Sequence, residues 1–211
     1  METANTFISW RWIGVTLMVT VVIFMIGAGS AAYFRQWPLP SDPLDQLTAI
    51  ANDRIGWPLQ AILFPVAYLV TAVLFAIIAV HLPGSAPRWL AVGATILFFA
   101  GFLLWLPISI ERLQLGAHAA EMIRTYDPGV PPIVMGGASW VFWSQTLCIL
   151  AAIALMGAAL AVAGVLPTVG WVITGLAVVS IVLGTLVMHD WPPFISYIIL
   201  LVMAVGLMRT S

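Results

Sequence analysis

Four side chains near the middle of the chain have types and spacing suited to chemistry. Glu111, Gln114, His118 and Glu121 follow one another by steps of three, four and three residues, which on an α-helix places all four on one face. His118 and Glu121, at i and i+3, can reach the same divalent ion. The dipeptide His189-Asp190, from a separate connection, offers a second imidazole and another carboxylate. Two histidines with two carboxylates suit zinc or a similar ion, and an open position on such an ion would activate water for hydrolysis. The metal reading is therefore His118, Glu121, His189 and Asp190. A simpler use of the same stretch is a solvated polar face, with Glu111, Arg112, Glu121 and Arg124 in weak surface pairs.

Other chemistries lack their residues. There is no lysine for a Schiff base, no GxSxG elbow, no P-loop and no HExxH, so no catalytic residue is assigned. Cys148 is the single cysteine, which excludes an intrachain disulfide or a cysteine metal cluster. No organic cofactor is implied; a divalent metal such as Zn is the one group the donors suit.

These residues must be positioned by elements of an unusual composition. The chain of 211 residues is 63% hydrophobic and 7% charged, with a mean hydropathy of +1.11; soluble domains carry about 25% charged residues. That much apolar surface requires lipid as solvent. A net charge of −1 gives no basic footprint for nucleic acid. Every basic residue is Arg, which reads as codon bias in a GC-rich bacterium. The first apolar run has the flanks of a signal peptide. It continues to Phe34, however, and is read as a first membrane span.

The expected fold class is all-α: a polytopic transmembrane bundle of six helices forming a single domain over 1–211. The spans fall at about 10–34, 58–82, 89–110, 138–163, 168–188 and 194–208. Two long extramembrane segments, about 35–57 and 111–137, separate spans one and two and spans three and four. In the first, Asp42 as N-cap, Pro43 at the first helical position and Asp45 in the first turn predict a short interfacial helix between spans one and two. Leu44, Leu47, Ile50, Ala51 and Ile55 form its apolar face, and Gly56 is its stop. Span three is expected to kink at Pro107 and to continue past the membrane to about Thr125. Leu106, Ile110, Leu113, Ala117 and Ala120 would be the apolar side of that extension, and Gly116 a tolerated cost. Gly27 with Ala31 marks a close approach on span one, and Ala154, Gly157, Ala158 and Ala161 mark span four as central. Span six is short against the roughly 20 residues a crossing needs.

The span centres hold no ionisable residue, which argues against proton or ion transport. Gln145, a long amide inside a span, reads as an interhelical hydrogen bond. Most of the ten tryptophans sit at predicted interfaces and read as an aromatic belt. His81 falls at the face opposite His118, so three histidines cannot meet. An even number of spans puts both termini on one side. The arginine counts of the two sides nearly tie, and the long acidic segments suit translocation, so the termini are expected in the cytoplasm. The first functional reading is a non-enzymatic binding protein, scaffold or accessory subunit of a bacterial inner membrane, its partners the lipid bilayer and other membrane subunits. The alternatives are a metal-dependent hydrolase at the membrane surface and a small-solute transporter.

Overall fold

A backbone in lipid has no water to pair with, and a helix closes its N–H and C=O groups on itself. The computed structural model describes residues 9–32, 40–129, 140–188 and 194–210, and every regular element among them is helical. In order these are α1 (Trp10–Ser30), α2 (Pro43–Asn52), α3 (Gly56–His81), α4 (Ser85–Arg124), α5 (Trp140–Val162), α6 (Pro167–Leu183) and α7 (Phe194–Met208), with a π-helical turn, Gly184–Met188, continuing α6. Five helices (α1, α3, α4, α5, and α6 together with its π-helical continuation to Leu186) are long and apolar enough to cross a membrane. The chain thus has the build of a helical, multi-pass membrane protein. The apolar helix α7 has 15 residues, about 22 Å of length against about 30 Å of hydrocarbon.

Despite that length, α7 lies inside the bundle, antiparallel to α1. Phe24 stacks on Tyr197 with ring centroids 3.8 Å apart. Further along, a Cβ placed on Gly14 would come within 2.8 Å of the Ala204 carbonyl oxygen. Consecutive helices are antiparallel too: Phe64 meets Trp105, Gly101 meets Ile149, and Gly157 meets Gly170. The bundle therefore has a terminal end, where α1 starts and α7 finishes, and a head end, where α2 and the last turns of α4 lie.

Small residues set the closest approaches. A Cβ on Gly157 would fall 2.8 Å from the Gly170 carbonyl oxygen, and one on Gly170 would fall 2.5 Å from the Gly157 oxygen. Thr174 Oγ1 donates across the same crossing to the Ala154 carbonyl at 3.0 Å. Gly27 abuts Leu63 and Phe64, the close contact its spacing predicted. The α5–α6 turn closes on Gly164 (φ 73°), with Val165 N–H donating to the Leu160 carbonyl, the glycine-terminated cap that needs a left-handed residue.

At the head end the structure departs from expectation. Asp42 caps α2 through Leu44 N–H at 3.1 Å, with Pro43 in the first turn, as its sequence predicts. The helix stops at Asn52, however, before Gly56. Asp53 carries the stop: its carboxylate accepts from Gly56 N–H at 2.8 Å and from Ala32 N–H. Ser30 Oγ shares its proton between the Gly27 carbonyl at 2.8 Å and the Gly56 carbonyl at 3.0 Å. The end of α1, the end of α2 and the start of α3 are thereby tied together. Gly56 opens α3 because any Cβ there would overlap the Ser30 carbonyl. The apolar face of α2 is used on protein: Leu47 and Ile50 are buried with Ala31, Trp57 and Ala119 in a second small core. Ile55, expected on that face, is exposed.

α4 runs 40 residues, about 60 Å, so it outlasts a membrane crossing and carries α2 on its final turns. The predicted extension to about Thr125 is present, with another face packed. Ile110, Leu113, Ala117 and Ala120 are exposed, while Trp105, Ser109 and Ala119 are buried. The packed stripe is rotated by about a quarter turn from the leucine stripe. Gly116 explains why: a Cβ there would lie 2.8 Å from Trp57 Cδ1, so the glycine is a notch for the indole.

Alanine substitution separates these roles. Helix propensity favours Ala over Gly by about 1 kcal/mol. Gly175, with nothing within 4 Å of a built Cβ, should gain up to that much as Gly175→Ala. Gly116→Ala and Gly157→Ala should instead lose about 1–3 kcal/mol through overpacking. Unfolding midpoints in detergent read the sign, and a gain at Gly116 would refute the notch.

Candidate functional site

The expected polar face on α4 stands where its spacing put it. Glu111, Gln114, His118 and Glu121 are all exposed. His118 Nδ1 is engaged by the Gln114 carbonyl at 2.8 Å, which leaves Nε2 as the ring nitrogen available to a ligand. His189 and Asp190, the other half of the metal set, lie outside the described residues, as do Trp37 and Trp191. Among the described residues no three His, Cys, Asp or Glu side chains converge on a common point. His81, at the terminal end, hydrogen-bonds its Nδ1 to the Ile77 carbonyl.

Arg112 is the member of this stretch that does something different. It points away from Glu111 and into the bundle, where its Nη1 donates to Gln60 Oε1 at 2.8 Å. Its guanidinium carbon lies 5.2 Å from the centroid of the Trp105 ring, within cation–π range. The Arg112 carbonyl accepts from Trp57 Nε1 at 2.7 Å. Trp57 occupies the Gly116 notch, so the indole, the arginine backbone and the glycine form one joint between α3 and α4.

Below this joint the elements line up polar and aromatic groups. Trp105, Ser109 and Arg112 share one face of α4. Gln60, Phe64 and Tyr68 share one face of α3. Trp105 and Tyr68 meet edge to face at 5.6 Å, and Phe142 from α5 stands 6.5 Å from Trp105. Gln145, from the first turns of α5, is buried and accepts from Thr146 Oγ1 at 3.2 Å. Its amide reaches toward Tyr68 Oη without completing a hydrogen bond. Deeper still, Thr71 donates to the Ala67 carbonyl at 2.8 Å, so Tyr197 is the donor in their 3.3 Å contact.

Three buried polar atoms in this region have no hydrogen-bond partner among the described residues: Tyr68 Oη, Trp105 Nε1 and Ser109 Oγ. Unsatisfied groups of this kind are uncommon in native interiors and call for an explanation.

Two expectations are corrected here. The tryptophans are not all belt residues: Trp12, Trp89, Trp140 and Trp171 are exposed at the bundle ends, but Trp57 and Trp105 are 1% and 0% exposed. Nor is Arg112 part of a solvated outer face. Sequence reasoning also passed over Gln60, Ser109 and Tyr197. The available signal was the i, i+4, i+7 repeat of Trp105, Ser109 and Arg112, on the side of α4 opposite the acidic face.

No protein-family model matches the chain, and no curated protein or solved structure shows a significant match to it.

The two faces of α4 should respond differently to substitution. Gln60→Leu removes an acceptor from a charged donor and should cost about 1–3 kcal/mol. Glu111→Ala and His118→Ala, at exposed positions, should stay within about 0.5 kcal/mol. Thermal unfolding of the purified variants measures both, and equal losses on the two faces would contradict this assignment of inside and outside.

Proposed function

We propose that this chain is a non-enzymatic binding protein of a cell membrane, with its binding site in the head half of the bundle. The observation that carries this reading is the one-sided distribution of buried polarity. Buried Gln60, Ser109, Trp105, Gln145 and Tyr68, with half-buried Arg112, all occur between the head end and the middle of α3. Tyr68 is about 18 Å along the helix from Gly56, close to the depth of a bilayer midplane. Toward the terminal end the core is apolar: Leu17, Phe75, Ile78, Phe98, Ile153, Met156 and Met203 are buried there. Thr20, the buried hydroxyl nearest that half, is closed on the Thr16 carbonyl at 2.8 Å. A path for a polar solute needs polar groups in both halves. Polarity that stops at the midplane suits a molecule that is held rather than passed across.

In this reading α7 makes a sixth crossing beside α1, and both termini face the cytoplasm of a bacterial inner membrane. Support for the orientation comes from the arginines. Arg11, Arg88 and Arg209 are exposed at the terminal end, where the described residues include no acid. At the head end Arg112 is turned inward, and Arg35, Arg54 and Arg124 share the two long connections with six described acids, Asp42, Asp45, Asp53, Glu111, Glu121 and Asp127. Short-loop arginine favours the cytoplasmic side.

Reconstitution tests the binding reading. Liposomes containing the protein should pass protons, potassium and glycerol at the protein-free rate. Saturable flux that Arg112→Ala abolishes would replace binding with transport. The orientation has its own check in a Cys148→Ala background: an impermeant maleimide applied to intact cells should label Thr48→Cys and spare Ser85→Cys, and the reverse pattern would invert the topology.

A further inference from the structure

We propose that Trp105 Nε1, Ser109 Oγ and Tyr68 Oη together recognise a carbonyl oxygen on an apolar, membrane-dissolved molecule; the inference rests on the binding reading above. All three atoms are buried and without a partner among the described residues. The side chains are 0%, 5% and 0% exposed, and all are carried on the two helices locked by the Trp57 joint.

The chemistry of the donors selects the ligand. An indole N–H is a donor only, so Trp105 can be satisfied solely by an acceptor. Ser109 supports the same conclusion by what it does not do. Thr20 and Thr71 each donate their hydroxyl to the carbonyl four residues back, at 2.8 Å. Ser109 has the same option on its own helix and leaves it unused, so its hydroxyl remains free to donate elsewhere. Tyr68 adds a third donor, with its ring edge-on to Trp105 at 5.6 Å.

The surroundings define the rest of the molecule. Phe64 lies 5.6 Å and Phe142 6.5 Å from Trp105, so whatever bears the oxygen is apolar and can lie against rings. A carbonyl answers each requirement: it accepts more than one hydrogen bond, brings no donor of its own and is carried by molecules that partition into lipid. Two sources share this chemistry, the ring carbonyl of a quinone and the ester carbonyl of an acyl lipid.

The test uses the full chain, purified in detergent and stripped of lipid, with decylubiquinone, dioleoylphosphatidylglycerol and squalane as probes. The expected result is a saturable rise in the unfolding midpoint with at least one carbonyl probe and none with squalane, a hydrocarbon. A response to decylubiquinone alone assigns a quinone, and one to the phospholipid alone assigns an acyl ester. Trp105→Phe and Ser109→Ala should each weaken the effective affinity tenfold or more, with helicity by circular dichroism unchanged. If Trp105→Phe fails to fold, Ser109→Ala still decides, because it removes only the hydroxyl. The proposal is overturned if no carbonyl probe binds, as for a site holding only water, if squalane binds equally, or if Ser109→Ala binds as the native chain does. Such a failure in liposomes that also show no solute flux removes the carbonyl assignment and leaves the binding reading standing; saturable flux removes that reading itself.

Discussion

The contact between Trp57 and the Gly116 notch is the constraint on which the rest of the head end depends. The indole is a large group at the first turn of α3, and it can lie against α4 only where α4 has no side chain. Once there, its N–H finds the Arg112 carbonyl, a backbone acceptor inside an otherwise closed helical ladder. That bond fixes the rotation of α4 about its axis relative to α3. The rotation decides which face of α4 is inside: Trp105, Ser109, Arg112 and Ala119 turn in, and the acidic face with His118 turns out. It also places Ala119 where Leu47 and Ile50 of α2 can cover it, so the small core outside the main bundle follows from the same joint.

Arg112 is placed deep by this geometry and is accommodated by chemistry suited to a guanidinium. One amide oxygen accepts from it, and the face of an indole lies beneath it. Both partners belong to helices whose positions are set by close backbone approaches, Gly27 on Phe64 and Gly101 on Ile149. A charge held this way is a fixed part of the interior. The aromatic side chains below it, from Trp105 through Tyr68 to Tyr197, carry polar atoms on apolar bodies, so the polarity can continue toward the midplane without an ionisable group at the centre of a span.

Much of the architecture was legible in the residues. Apolar runs of membrane length gave helices at nearly the predicted positions, and Phe194–Met208 matched its predicted bounds. Asp42 and Pro43 marked the start of α2. The i, i+3, i+4 pattern of Glu111, Gln114, His118 and Glu121 identified a shared exposed face. The misreadings have a common physical origin. In a chain of this composition hydrophobicity does not distinguish a lipid-facing side chain from a core one, so the apolar leucine stripe of α4 does not reveal which side packs. The same blindness placed Trp57 and Trp105 in the belts.

The sequence by itself determined that the chain is helical and suited to lipid, roughly where its helices lie, and which polar residues share a face, because these follow from local periodicity, capping chemistry and the composition of each run. Only the tertiary structure decided which face of each helix is inside. That choice rests on steric matches between residues far apart in the chain, Trp57 with Gly116, Gly157 with Gly170, Gly56 with Ser30. For that reason Arg112 turns toward the interior while His118 and Glu121, on the opposite side of the same helix, face outward.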